Sequence, residues 1–333
     1  MQTHVAGLAA HLRSRGAEVD VLAPADGPVD EPGFVPLGRS LGFRWQGTVT
    51  RVALSPAAVA RTARAVRVGG YDLVHVHEPM LPAAGLIAVL AAPCPVVATF
   101  HMTARTAFWY RVFLPVLRLA ARRLDARIAV SEEARRFAER VLPGSYRVIP
   151  NAIHVDAYRS ARDGGREPRI LFVGRPEPRK GLPVLLRAFD RLPGTPVLEL
   201  VGVGAGDVPN RPRVRVHGQV PDAERVRLIG EADVLCAPSL GGESFGGDVL
   251  EAMAAGVPVV ASEIPGYAAV LPPSAGRLVP PGDDAALAGA LTELLSDPEL
   301  RARLGEQGRR EAARYDWARV GEEIAAVYDE VLR

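Results

Sequence analysis

Glu243 and Glu251 stand eight positions apart in the stretch GGESFGGDVLEAMAAG, across a glycine-rich turn that follows one apolar run and opens a helical pattern. The start of a helix leaves backbone N–H groups without intrahelical acceptors and carries a partial positive charge, so such a turn suits an anion, a diphosphate in particular. Helical side chains lean toward the N-terminus, so Glu251, one turn in, can reach the same place and accept hydrogen bonds from sugar hydroxyls. Glu243 can do the same from the loop. Taken alone, the two acids fit a capping loop acid and a solvated helix residue equally well.

A second motif points to the same chemistry. GRPEPRKG (174–181) follows the apolar run RILFVGR and carries Arg175, Arg179 and Lys180. Arg175 as a planar fork and Lys180 as a point charge can together neutralise a departing diphosphate. A solvated basic turn is the alternative, and its place directly after a strand favours function. His101 closes the run PVVATFH, at the carboxyl end of a strand, where an active-site role is the better reading of a single histidine. His75 and His77 alternate on one strand and share a face, but no further ligands cluster with metal spacing, so they read as a structural pair. GVGAG (202–206) lacks the full dinucleotide spacing and reads as a tight turn. No Asp-x-Asp occurs, so the usual carboxylate clamp for a metal-bound sugar nucleotide is missing and no metal site is expected.

The elements that must position these residues follow from hydrophobic periodicity. Short apolar runs at 18–24, 72–77, 95–101, 126–131 and 146–151 alternate with helical patterns. After the polar stretch RSARDGGREP the rhythm restarts at 169–175, 197–202, 214–218, 232–238, 257–262 and 276–280. Near-continuous apolar strands alternating with helices imply parallel sheets covered on both faces, here two of them, with ligands beyond the carboxyl ends of the strands. The chain of 333 residues is long enough for two such domains. It opens on the helical stripe QTHVAGLAAHLRSRG where the alternation calls for a strand, so the first strand of the N-terminal sheet is expected to be missing and two neighbours to lack ladder partners.

Apolar residues make up 48% and charged residues 23% of the chain, which is globular, and no apolar run reaches the roughly 18 residues of a membrane span. A net charge of +2 gives no global basic field for nucleic acid. Lysine is nearly absent. Cys94 and Cys236 lie in apolar runs and read as buried thiols, and with no secretory leader a cytoplasmic location is expected. FWYRVFLPVLRLAARRL (108–124) mixes aromatic and aliphatic residues with Arg111, Arg118, Arg122 and Arg123. Such a helix fits the surface of an anionic bilayer as well as it fits a core, and RTARAVR (61–67) adds a second basic patch.

The strings EPRKG, GGESFG, EAMAAG, HVHEP, TFH and the terminal YDWARV together resemble, over essentially the whole chain, the retaining glycosyltransferases of family 4. The likeness is nearest to the actinobacterial members that mannosylate an inositol phospholipid. It implies the α/β GT-B fold: two Rossmann-like doubly wound domains facing a cleft, residues 1–155 binding the acceptor and 166–316 the nucleotide sugar, with 317–333 a helix crossing back to the first. It implies transfer of mannose from GDP-mannose to the lipid headgroup at the inner face of the plasma membrane, with no metal or other cofactor. A UDP-sugar donor, a soluble acceptor, and an inactive nucleotide- or lipid-binding remnant stay open as alternatives.

Position by position, the resemblance assigns Arg175 and Lys180 to the donor diphosphate, Glu243 to the donor sugar, Glu251 to the ribose and His101 to the side of the transferred sugar. Val220, Asp222 and Arg225 fall at the nucleobase contacts, and Ser244, Phe245 and Gly246 in the donor loop. Gln46, Thr48 and Arg51 in WQGTVTR, with Gln2, fall at the inositol phosphate. The chain departs from the family at Gly247 and Asp248, where aliphatic residues are usual, and at Trp45 and Gln46 in the acceptor stretch.

Overall fold

A computed structural model of the chain describes residues 2–27, 29, 31–39, 41–45, 48–53, 55–81, 84–103, 113–158 and 167–333. They divide into two compact units, Met1–Ala152 together with Trp317–Arg333, and Ile153–Asp316.

The first unit runs α1 (Gln2–Ser14), β1 (Val21–Ala23), β2 (Phe34–Pro36), β3 (Leu41–Trp45), β4 (Thr48–Val52), α2 (Pro56–Val68), β5 (Val74–His77), α3 (Ala84–Ala91), β6 (Val96–Phe100), α4 (Leu114–Ala121), β7 (Ala126–Ala129), α5 (Glu132–Val141) and β8 (Arg147–Val148). Strands β5 to β8 form a parallel four-stranded sheet in chain order, while β1 and β2 pair with each other in parallel. These two sheets are laddered separately among the described residues. β6 is buried along its whole length, as its reading VVATF demands of a strand covered on both faces. The hairpin β3–β4 is antiparallel, with Trp45 opposite Thr48, and was not expected from the sequence. LGFRW alternates apolar and other residues with a period of two, and four of the five residues of TVTRV are β-branched, which is the signal that identifies the pair. Of the basic aromatic segment, α4 is the described helix, and residues 104–112 lie outside the described set.

The second unit runs β9 (Arg169–Val173), α6 (Leu182–Asp190), β10 (Val197–Val201), β11 (Val214–Gly218), α7 (Asp222–Glu231), β12 (Val234–Ala237), α8 (Gly247–Ala254), β13 (Val259–Ser262), α9 (Pro265–Ala268), β14 (Gly276–Val279), α10 (Asp284–Ser296) and α11 (Pro298–Ala312). Its six strands are all parallel in the order β11-β10-β9-β12-β13-β14. The chain starts in the middle at β9, builds outward to one side, then crosses to β12 and builds to the other. The order reverses between β9 and β12, which puts the loops after those two strands side by side at the place where doubly wound sheets bind ligands. Ile170, Phe172, Leu198, Leu200, Val234, Cys236 and Val260 of the strands pack with Leu185, Phe189, Leu287 and Leu291 of the helices into one core.

The last helix, α12 (Trp317–Val331), belongs to the first unit. Trp317, Val320, Ile324 and Val327 are spaced at three and four residues, which makes one apolar face, and that face packs with Leu8 of α1, Val97, Ile128 and Ile149. Trp317 is the largest contributor and is buried. Trp317→Ala should therefore cost the first unit about 3–5 kcal/mol, as truncation of a buried aromatic does. Denaturant unfolding followed by a probe in that unit reads the shift, and an unchanged midpoint would contradict the packing.

Candidate active site

The loop after β9 and the loop after β12 hold an array of charges. A short 3₁₀ turn, Pro178–Lys180, ends at Gly181, whose φ of 72° lies in the left-handed region. A Cβ there would stand 1.9 Å from the carbonyl oxygen of Pro238, so only glycine lets the β9 loop lie this close to the β12 loop. On the other side, a Cβ on Gly266 of α9 would stand 2.2 Å from the carbonyl oxygen of Glu243. The Glu243 loop is thus clamped between two backbone contacts.

Across that clamp, Lys180 Nζ lies 2.8 Å from Glu243 Oε1 and Arg179 Nη1 lies 2.6 Å from the same oxygen. Lys180 also faces Asp248 Oδ2 at 3.5 Å. Arg179 pairs in addition with Glu177 at 2.9 Å, and Arg175 pairs with Glu177 at 3.1 Å. Tyr267, fully buried, has its hydroxyl 2.8 Å from Ser239 Oγ and 3.4 Å from Asp248 Oδ2, and Ser239 Oγ donates to Glu243 Oε1 at 3.3 Å. Burial pulls the Lys180 ammonium down, but Asp248 and then Glu243 outweigh it and hold its pKa above the ordinary value. The amine is charged. Burial, with the two acids adding to it, pushes the Tyr267 phenol well up.

Sequence reasoning paired Arg175 with Lys180. The structure joins Lys180 and Arg179 on Glu243, and Arg175, half exposed, reaches the same array through Glu177. Arg179 Nε is buried with no hydrogen-bond partner among the described residues, an unsatisfied donor beside the array. Glu243 is the acceptor that holds two cations, which is more than a capping acid does.

Glu251 is not a solvated helix residue. It ion-pairs with Arg225 of α7, and the Tyr158 hydroxyl hydrogen-bonds to it from the 3₁₀ turn Val155–Tyr158. Burial pushes the Glu251 carboxyl up, and Arg225 and Tyr158 work against it to favour the carboxylate. Arg225 also reaches Asp222 at 3.3 Å, so the residues assigned to base and ribose do meet around α7 and α8. Asp222 is exposed and Val220 half-buried at the start of α7. Ser244 is half-buried, whereas the Phe245 ring is buried edge-on to Tyr315 at 5.8 Å. Its side chain anchors the loop.

In the first unit, His75, His77 and His101 stack, with ring centroids 4.4 Å apart for His75 and His77 and 5.2 Å for His77 and His101, and His4 meets His77 and His101 edge-on. His101 Nε2 shares a hydrogen bond with His77 Nδ1 at 2.9 Å, so it is held in the stack at the carboxyl end of β6. His75 is fixed by the Tyr328 hydroxyl of α12 at 2.5 Å and by Thr99 at 2.7 Å. Next to them, buried Glu78 accepts from the backbone amides of His101 at 2.7 Å and Met102 at 3.1 Å. Its φ of 58° is strained for a residue with a side chain, and its Oε2 has no partner among the described residues. Among the described residues no group of three or more His, Cys, Asp or Glu side chains is arranged to hold a metal.

Two family models divide the chain between them: "Glycosyltransferase Family 4" over residues 1–157 and "Glycosyl transferases group 1" over residues 159–311. A phosphatidyl-myo-inositol mannosyltransferase of Mycobacterium leprae (strain TN) is 41% identical over 99% of this chain and 93% of its own length. One from Mycolicibacterium smegmatis is 40% identical over 99% of this chain and 90% of its own. The chain belongs to the family 4 glycosyltransferases. The solved structure of a sucrose-phosphate synthase from Thermosynechococcus elongatus matches 98% of the chain and 92% of its own at a TM-score of 0.77 and 23% identity, a likeness of fold. That fold is GT-B.

For this family 4 transferase the structure leaves the acceptor residues largely open. Gln46 lies outside the described residues. Gln2 falls at the start of α1 and Thr48 and Arg51 on β4, and their side chains are outside the described set as well. Sequence reasoning missed the part played by Arg179, Tyr158, Ser239, Tyr267 and Glu78. For Glu78 a signal existed, since it follows a strand at its carboxyl end. Tyr267 stands in the plain stretch PGYAAV and gave none.

The histidine stack makes the first unit sensitive to acid. Burial holds His4 down at about 4 and His75 at about 3, and His77 and His101 well below the ordinary 6.5. The unfolded chain therefore takes up protons first as pH falls below 6.5, and stability falls with it. Glu78 works in the opposite sense: burial raises it to about 7, so its contribution is full below its ordinary 4.5 and is lost as pH rises through 7. Four imidazoles outweigh one carboxyl, and the net stability should decline from pH 6.5 toward 4.5. His75→Gln should flatten that decline by about 1.4 kcal/mol per pH unit, the linkage slope of one proton, in denaturant titrations at several pH values.

Proposed function

We propose that this glycosyltransferase moves mannose from GDP-mannose to the headgroup of an inositol phospholipid at a membrane surface, with retention at the anomeric carbon. The observation that carries the reading is the array at the β9–β12 switch point, where Arg179, Lys180 and the start of α8 converge with an unsatisfied buried donor among them. A group of charges there is suited to a diphosphate. The relatives that share about two fifths of its residues are named for mannosyl transfer to phosphatidyl-myo-inositol, which supports the sugar and the acceptor.

In the reaction, the bond from the anomeric carbon to the diphosphate breaks as the bond to the acceptor oxygen forms on the same face. The acceptor proton passes to an oxygen of the departing phosphate. Arg179, Lys180 and Arg175 stabilise the charge that develops on that diphosphate, a contribution concentrated in the transition state. Glu243 accepts its hydrogen bonds on Oε1, which leaves Oε2 for a sugar hydroxyl. Held by two cations, it is a poor nucleophile, which favours same-face displacement over a glycosyl-enzyme. Glu251, oriented by Arg225 and Tyr158, takes the ribose hydroxyls, and the family resemblance assigns His101, kept neutral, to the side of the transferred sugar.

Support for a lipid acceptor comes from α4. Phe113, Val116 and Leu119 are exposed at 43%, 42% and 54%, three residues apart, so they make one apolar stripe, with Arg118 and Arg122 exposed beside it. A stripe of this kind with arginines alongside suits an anionic bilayer surface. No helix among the described residues is long and apolar enough to cross a membrane.

Lys180→Ala should lower turnover by about 100-fold or more, the usual loss on removing one such donor. The assay compares GDP-mannose and UDP-sugars against phosphatidylinositol vesicles and soluble inositol phosphate. Transfer only to the soluble acceptor, or only from a UDP-sugar, would replace the corresponding half of the reading. The double change Val116→Asp and Leu119→Asp should weaken sedimentation with phosphatidylinositol-containing vesicles by about tenfold or more, since each buried aliphatic contributes about 1.5–3 kcal/mol. Equal sedimentation of the variant would remove α4 from the membrane contact.

A further inference from the structure

Asp248 is the second residue of α8, and its carboxylate lies where the donor reading requires an anion. Oδ1 accepts from the amide of Val249 at 3.0 Å, and Oδ2 faces Lys180 Nζ at 3.5 Å and the Tyr267 hydroxyl at 3.4 Å. It therefore uses both attractions that a phosphate would use, a first-turn amide of the helix and the lysine ammonium. With it, the array balances: Arg175, Arg179 and Lys180 face Glu177, Glu243 and Asp248, three cations against three carboxylates. The Lys180 contact to Asp248 is longer than the 2.8 Å contact to Glu243, so Asp248 is the looser of its two partners. Beside it the helix start is open, for a Cβ on Gly247 would meet nothing within 4 Å.

We propose that Asp248 is a tethered anion that occupies Lys180 and the start of α8 when no donor is bound, and that the donor diphosphate binds by displacing it. The inference rests on the donor-site reading above and adds a residue that sets affinity. The carboxylate competes from within the same chain, so the enzyme holds diphosphates more weakly than its cations alone would. It also returns to Lys180 as the nucleoside diphosphate leaves, which favours product release.

Titration calorimetry of inorganic pyrophosphate, GDP and UDP against the wild-type chain and Asp248→Asn tests this. The asparagine keeps the shape and still accepts from Val249, and Asp248→Ser serves as a second variant. Binding of all three anions should tighten by about tenfold, a factor that corresponds to the loss of one nearby like charge, and by the same factor whichever base is attached. Lys180 is the only lysine in the chain, so protection of its ε-amine against acylation by each anion reads the same equilibrium independently of activity. Unchanged or weaker binding in both variants would overturn the proposal and make Asp248 a support for Lys180. If folded wild-type and variant chains alike bind none of the three anions, the donor-site reading itself fails and the proposal falls with it.

Discussion

Two cations adjacent in sequence, Arg179 and Lys180, share one carboxylate oxygen of Glu243. Like charges at such spacing repel, and the repulsion is large where solvent is partly excluded. The arrangement holds only because an acid from a different loop stands between them. That requirement explains the local construction. The strand order must reverse between β9 and β12 for the two loops to be neighbours, Gly181 must admit the carbonyl of Pro238, and Gly266 must admit that of Glu243. Tyr267 and Ser239 then fix the carboxylate from below.

The two units solve the problem of shielded titratable groups in opposite ways. In the second, charges are matched: Lys180 stays an ammonium because acids surround it, and Arg225 opposes the burial that raises Glu251. In the first, charge is given up. The stacked imidazoles are neutral because burial and their mutual proximity both disfavour protonation. The second unit thus keeps paired charges, and the first keeps neutral hydrogen-bonded rings.

The sequence made the parallel strands legible because a strand covered on both faces must read as a continuous apolar run, as VVATF and RILFV do. The antiparallel hairpin β3–β4 escaped because Gly42, Arg44 and Arg51 interrupt it and its alternation is brief. Glu243, Glu251 and Lys180 were recognisable from their motifs. Their partners were not: Arg225 is 26 residues from Glu251 and Arg179 is 64 from Glu243. Such pairings depend on the crossover that makes β9 and β12 neighbours, a feature of topology that local spacing does not encode. Asp248 shows the same limit, since an acid at a helix start is visible in the sequence and the lysine it faces is not.

The path of the chain has a consequence for synthesis. The first unit draws on stretches to either side of the second, Met1–Ala152 before it and Trp317–Arg333 after it. As the chain leaves the ribosome, Ile153–Asp316 can close its own core while Leu8, Val97 and Ile128 still wait for the face of α12 that covers them. Domains generally fold in the order they emerge; here one core cluster of the first unit is closed only once α12, made after the second unit, is available.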